Sequence, residues 1–178
     1  MTTTPAWRVR PARPDDVPAV DALVRELAAY EREPDAVEGT AQDLADALFG
    51  PDPRVHCHVV EVTGGGPHVV DSDVVETAVV GMALWFVSYS TWRGRHGIWL
   101  EDLYVRPQHR GRGLGRALLQ ALAAECTARG WTRLEWAVLD WNSPAHGFYR
   151  SLGAAPLQEW TTWRLEGEAL QSLGAAPA

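Results

Sequence analysis

Apolar residues recur along this chain with two periods. Val17, Val20, Leu23, Val24, Leu27 and Ala28 fall three or four apart after Pro14, the stripe of an amphipathic helix over 14–31, and Asp15 and Asp16 stand where the helix dipole favours acids. Pro34 bars any helix just beyond it, and Thr40 with Asp43 three later caps a second helix through Phe49. Leu114, Leu118, Ala121 and Leu122, with Glu125 as the polar member, predict a third helix that Gly130 ends. Ser143-Pro144 opens a short fourth, with proline at its first position, running to Gly153. Runs rich in β-branched or alternating residues predict strands at 7–10, 55–62, 75–89, 97–105, 133–139, 154–158 and 160–166. Gly64-Gly65-Gly66-Pro67 with Asp71-Ser72-Asp73 reads as a flexible hairpin loop, and 89–95 as a second turn, so the middle strands form an antiparallel meander. The whole predicts an α/β chain: a mostly antiparallel, mixed central sheet of about seven strands flanked by about four helices.

At 178 residues the chain suits one domain, 1–178, with a small-residue tail over 170–178. No run approaches the length of a membrane span, and Met1-Thr-Thr-Thr-Pro5 lacks the basic and apolar regions of a signal peptide, so a cytoplasmic protein is expected. Cys57 and Cys126 lie in different predicted elements and read as packed thiols. A formal charge of −7 argues against nucleic acid and favours a cationic small molecule such as an amine. All 16 cationic side chains are arginine, which removes lysine chemistry, and nine tryptophans suggest aromatic-walled pockets or interfaces beside core packing. His56 and His58 share a strand face, but no third ligand stands at a recognisable spacing; no metal is expected and the pair reads as a polar face.

The local chemistry concentrates at 101–130. A strand with Glu101 and Asp102 leads to Arg110-Gly111-Arg112-Gly113-Leu114-Gly115 and then to the third helix. Side chains at these glycines would keep a ligand off the backbone, whereas bare amides at a helix start donate to an anion. Arg106, Arg110, Arg112 and Arg116 surround them and suit phosphate oxygens. A P-loop needs a lysine the chain does not have, and the dinucleotide pattern fails because Arg116 occupies the place of its third glycine. Arg-x-x-Gly-x-Gly, read as Arg110, Gly113 and Gly115, does fit; taken alone, the hexamer fits an ordinary loop and helix cap equally well.

That pattern, followed by Asn142-x-x-Ala145-x-x-Phe148-Tyr149, resembles the GCN5-related N-acetyltransferase (GNAT) family over nearly the whole chain. Glu26-Leu-Ala-Ala-Tyr30-Glu31, Tyr89-Ser-Thr-Trp-Arg-Gly-Arg95, Trp99-Leu-Glu-Asp102 and Ala137-Val-Leu-Asp-Trp-Asn142 are similar to its diamine and thialysine N-acetyltransferases. Ser90 and Thr161 stand where the polyamine branch carries acids, so the likeness leans to the thialysine branch. The resemblance implies the acyl-CoA N-acyltransferase fold, a homodimer, and acetyl-coenzyme A as acyl donor. It implies donor contacts from Leu103, Tyr104, Val105, Arg110, Gly111, Arg112, Gly113, Leu114, Gly115, Arg116, Asn142 and Tyr149.

Acetyl transfer to an alkylamine of pKa about 10 needs a proton acceptor. Glu101 is the candidate base, acting directly or through water, and Asp102 faces away from it unless a bulge turns it inward. The resemblance makes Tyr149 the acid for the leaving thiolate; without it, a Phe-Tyr pair in a short helix reads as core. Backbone amides near Tyr104 and Val105 could bind the developing oxyanion. Tyr30, Glu31, Trp92, Glu101, Asp102 and Trp163 form a set able to recognise an ammonium group, since carboxylates and aromatic faces both favour it. A peptide or antibiotic amine as acceptor, and a non-catalytic acetyl-coenzyme A sensor, remain alternatives.

Overall fold

The computed structural model of the chain describes residues 7–63 and 77–175. The expected 64–73 hairpin loop and the first residues of the strand from Val75 lie outside these. Two compact units divide the chain, one running to Ala137 and one beginning at Val138.

The first unit holds a five-stranded sheet in sequence order: β1 (Trp7–Pro11), β2 (His56–Thr63), β3 (Thr77–Ser90), β4 (Arg95–Val105) and β5 (Leu134–Trp136). β1 to β4 are antiparallel neighbours, and β5 joins β4 in parallel. That parallel return needs a crossover, supplied by helix α3 (Leu114–Ala128). On one face, α1 (Val17–Tyr30) and α2 (Ala41–Phe49) bury Val20, Leu23, Leu27 and Leu48 against Cys57, Val59, Met82, Leu84 and Tyr104. α3 lies on the other, burying Leu114, Leu118, Leu119, Leu122 and Cys126. A fully buried leucine of this kind contributes roughly 2–3 kcal/mol.

Helix boundaries reflect local chemistry. Pro14–Asp16 forms a 3-10 turn that leads into α1, so the expected 14–31 helix is α-helical only from Val17. The Thr40 hydroxyl accepts from the Asp43 amide while Asp43 accepts from the Thr40 amide, a complete capping box at the start of α2. α3 ends in a Schellman turn: Gly130, at φ +67°, donates to Thr127 O at 3.2 Å, and Trp131 donates to Cys126 O at 2.8 Å.

The second unit holds α4 (Ser143–Arg150) and α5 (Gly167–Ala175). Here the expectations for 154–158 and 160–166 fail. Both stretches are irregular and, from Ala155 on, exposed. Trp160, Trp163 and Leu165 do not keep a strict period of two, and a strand also needs a ladder partner. The sheet therefore has five strands among the described residues, not seven. The residues expected as a tail begin inside a helix, where Leu170 and Leu173 stand three apart. The strand expected over 133–139 shrinks to Leu134–Trp136, for a reason that lies in β4.

Candidate active site

β4 does not run straight past its acidic pair. Asp102 stands opposite Leu84 and Leu100 opposite Trp85, so Glu101 is an extra residue with no partner of its own. This is a β-bulge, which bends a strand and re-aims its side chains. Upstream of it, Ile98, Trp99 and Leu100 pair with Leu134, Glu135 and Trp136, and there the β4–β5 ladder ends. β5 is short because β4 turns away from it. Among the described residues, Leu103, Tyr104 and Val105 thus have a strand neighbour only on the β3 side.

The bulge also settles where Asp102 faces. Its partner Leu84 packs in the α1 core with Leu23 and Leu27, and Tyr104 belongs to the same cluster. Asp102 is turned inward, and burial, then the negative charges of Glu101 and Glu31, push its carboxyl up to about 6. Glu31, the C-cap of α1, is likewise raised by burial. Glu101 itself is exposed, and one of its oxygens accepts from Trp99 Nε1 at 2.9 Å. Three carboxylates from two elements therefore converge, which is costly unless a cation comes between them.

Tyr30 precedes Glu31 at the end of α1, and the next residue, Arg32, takes a left-handed φ of +70°, alone among the described non-glycine residues. Trp92 lies in the β3–β4 turn at 90% exposure. Two residues named in the sequence for other reasons find partners here that it did not assign. Trp99 sits two residues before Glu101 on the same strand, a spacing that could have flagged it. Arg106 reaches Glu26, 80 residues earlier, a contact no local pattern reveals.

The glycine-rich segment leads into α3 through two left-handed residues, Gly111 at φ +72° and Gly113 at φ +84°. A Cβ at either would meet nothing within 4 Å, so the backbone is open to a ligand. Gly113 is the N-cap and offers no side-chain acceptor; Ala117 donates to Gly113 O at 2.9 Å, while the amides of Leu114, Gly115 and Arg116 precede the first helical bond. This is the arrangement an anion accepts from, with the helix dipole added. Arg112 and Arg116 are exposed beside it, and Leu114 is buried. Arg110, also exposed, is held in place: its Nε donates to Val105 O at 2.8 Å, and its guanidinium lies 4.9 Å from the Tyr30 ring and 5.3 Å from that of Tyr104.

In the second unit, Asn142 is buried as the N-cap of α4, its Oδ1 accepting from the Ala145 amide at 3.3 Å. Tyr149 is half-buried on α4, its ring 5.3 Å from Phe148. Trp163 is 90% exposed.

His56 and His58 form no simple polar face. Trp85 Nε1 donates to His58 Nδ1 at 3.1 Å, and the His56 ring lies 4.4 Å from that indole. Burial pushes both imidazoles down. With Leu48, Phe49, Glu125 and Arg129 they line a cavity of about 240 Å³. No group of three or more metal-ligating side chains occurs among the described residues, and no described helix is long and apolar enough to cross a membrane.

A bulged strand carrying acids, a parallel strand that parts from it and an uncapped glycine-rich helix start match the acyltransferase fold that the resemblance implies. The model of the acetyltransferase (GNAT) family matches residues 21–154, and the chain belongs to that family as an N-acetyltransferase. It is 39% identical over 168 residues to the thialysine N-epsilon-acetyltransferase of Bos taurus, covering 93% of this chain and 95% of that protein. It is 30% identical to L-ornithine N5-acetyltransferase NATA1 of Arabidopsis thaliana over 93% of this chain and 87% of that one. Among solved structures, an integron cassette protein from the mobile metagenome of V. cholerae matches with a TM-score of 0.73 at 24% identity, over 97% of this chain and 100% of that one, a likeness of fold.

Proposed function

We propose that this chain transfers the acetyl group of acetyl-coenzyme A to the primary amine of a small cationic substrate, a thialysine- or lysine-like amino acid or a diamine. The observation that carries this is the convergence of Glu31, Glu101 and Asp102 at the β4 bulge, with Asp102 raised to about 6. A partly buried negative cluster is stabilised by an ammonium group, and a carboxyl near 6 is ionised yet basic at neutral pH. The relatives named for thialysine and ornithine, both amino acids whose side chains end in ammonium, support the same class.

Acetyl-coenzyme A supplies the thioester, and the open amides from Gly111 to Arg116, with Arg112 and Arg116, suit its diphosphate. Glu101 and Asp102 accept the ammonium proton, either directly or through water, leaving a neutral nucleophile. The Val105 amide, which faces away from β3 because the neighbouring Arg106 N–H donates to Val80 O, stabilises negative charge on the acyl oxygen. Tyr149 returns a proton to the departing sulfur, a role assigned from its place in the Asn142-x-x-Ala145-x-x-Phe148-Tyr149 motif. Because the family model runs from 21 to 154, across the boundary between the two units, we read both as one acetyltransferase domain. The exposed side chains Leu157, Trp160, Leu170 and Leu173 support a homodimer, which light scattering checks.

A screen of free amines, peptides and aminoglycosides, with acetyl-coenzyme A and a thiol reporter, tests the reading. Thiol release is expected with thialysine, ornithine or diamines. Release with peptides or aminoglycosides alone would move the acceptor class, and coenzyme A binding without release to any amine would make the chain a sensor.

A further inference from the structure

The geometry points to Glu26 as a positioning residue for the amine end of the site, acting through Arg106. Resting on the proposed reaction, the inference adds a residue that touches neither substrate.

Glu26 and Tyr30 stand one turn apart on the same face of α1. Two arginines of the β4–α3 connection, on either side of the Pro107–His109 turn, reach them. Arg106 Nε donates to both Glu26 oxygens at 3.0 and 3.2 Å, and its Nη2 lies 2.9 Å from Oε1. Arg106 is itself fixed to β3, its backbone N–H donating to Val80 O at 3.0 Å and Nη1 to Val79 O at 3.4 Å. Arg110, tied to Val105 O, holds Tyr30 by its face. The last turn of α1 is therefore fastened twice to the segment that also forms the donor loop.

The consequence falls on Glu31. It comes immediately after Tyr30, it acts on Asp102, and beyond it the chain leaves the helix through Arg32 in a left-handed conformation. Leu27 is the last buried residue of α1, and beyond it only the half-buried Tyr30 packs against the core. The two arginine contacts, one on Tyr30 and one a turn earlier on Glu26, help hold Glu31 against a repelling Asp102. Glu26 sets the spacing of the acids that receive the ammonium group, while the donor loop, held by its own glycines and by α3, is left in place.

Steady-state kinetics of Glu26→Gln, with the best amine from the screen, test this. The KM for the amine is expected to rise about fivefold, the scale of a part-exposed bidentate ion pair, with kcat and the Kd for coenzyme A within about twofold. Glu26→Asp should recover most of the loss. Asp21→Asn, which breaks the Arg25 ion pair on the same helix, should leave the amine KM unchanged and so controls for helix stability. Arg106→Lys, which keeps the charge and the backbone N–H bond to Val80 O but loses the fork and the Nη1 bond to Val79 O, should reproduce the KM shift should Glu26→Gln fold poorly. An unchanged amine KM in both variants, or equal losses in kcat and coenzyme A affinity, overturns the role. Wild-type protein without turnover on any amine removes the proposed reaction and this inference with it.

Discussion

Asp102→Asn should make the protein more stable and less active at once. Asp102 carries a carboxyl raised from 3.8 to about 6, first by burial and then by Glu101 and Glu31. In the unfolded chain the group ionises at its ordinary value, so between about 4 and 6 the folded state holds the extra proton and folding weakens as pH rises. Below about 4 both states are protonated and the cost is absent; above about 6 it is fully present. The gap corresponds to about 3 kcal/mol. Asparagine removes the charge but keeps a buried polar group, so a gain of about 1–3 kcal/mol at pH 7 is expected, or about 3–8 °C in Tm for a chain of this length. The gain should shrink towards zero near pH 4. In the same variant kcat/KM should fall about 100-fold, and the acid limb expected of the wild type near pH 6 should disappear. Thermal melts at pH 4 and 7, with kcat/KM from pH 5 to 9, read both. A variant that is less stable than wild type at pH 7, or keeps its activity with an unchanged acid limb, refutes the account of the bulge as a strained acidic site.

Three further outcomes are expected. Tyr149→Phe should lower kcat by roughly two orders of magnitude with little change in coenzyme A affinity by calorimetry; an unchanged kcat removes Tyr149 from the reaction. Gly113→Ala places a Cβ at φ +84° with nothing nearby to strike, so the cost is conformational, about 1–2 kcal/mol of stability, and coenzyme A should bind about tenfold more weakly in calorimetry. His58 is held neutral by burial and accepts from Trp85, so the unfolded chain takes up the proton first and His58 erodes stability as pH falls below about 6.5. In the Asp102→Asn background, which removes the opposing contribution of Asp102, Tm should drop from pH 7 to 5.5, and His58→Gln should reduce the slope, His56 supplying the remainder.

Local signals in the sequence carried most of the first unit. The apolar periods of Val17–Leu27 and Leu114–Leu122 became α1 and α3, and Thr40 with Asp43 made a full capping box. Turn chemistry at Gly94 and Gly130 ended elements where expected, since both residues adopt positive φ. The second unit was less legible. Trp160 to Leu165 has strand-like composition, but a strand exists only where another supplies its hydrogen bonds, and propensity says nothing of that partner. The stretch from Leu170 reads as a tail because small residues dominate it, yet alanine and leucine are the strongest helix formers, and Gly167 to Ala175 is helical.

The candidate site divides in the same way. Glycines at 111 and 113 stand out in the sequence because side chains there would keep a ligand off the backbone; their left-handed φ is seen only in the structure. The bulge could be posed as a condition but not decided, since Glu101 and Asp102 are adjacent whether or not β4 slips by one residue. The count of residues on β3 decides it: Leu84 and Trp85 are consecutive, while their partners Asp102 and Leu100 are not. That one surplus residue turns Asp102 into the α1 core, lets β5 part from β4 after Leu100, and sets two acids side by side where strand alternation would have separated them. The acidity of the site and the open edge of β4 are thus one feature seen twice. A variant that deletes Glu101 should restore alternation and with it the pairing beyond Leu100, which hydrogen exchange of the β5 amides reads; Asp102, still opposite Leu84, loses one neighbouring charge but keeps its burial, so its carboxyl should fall only part of the way to the ordinary value.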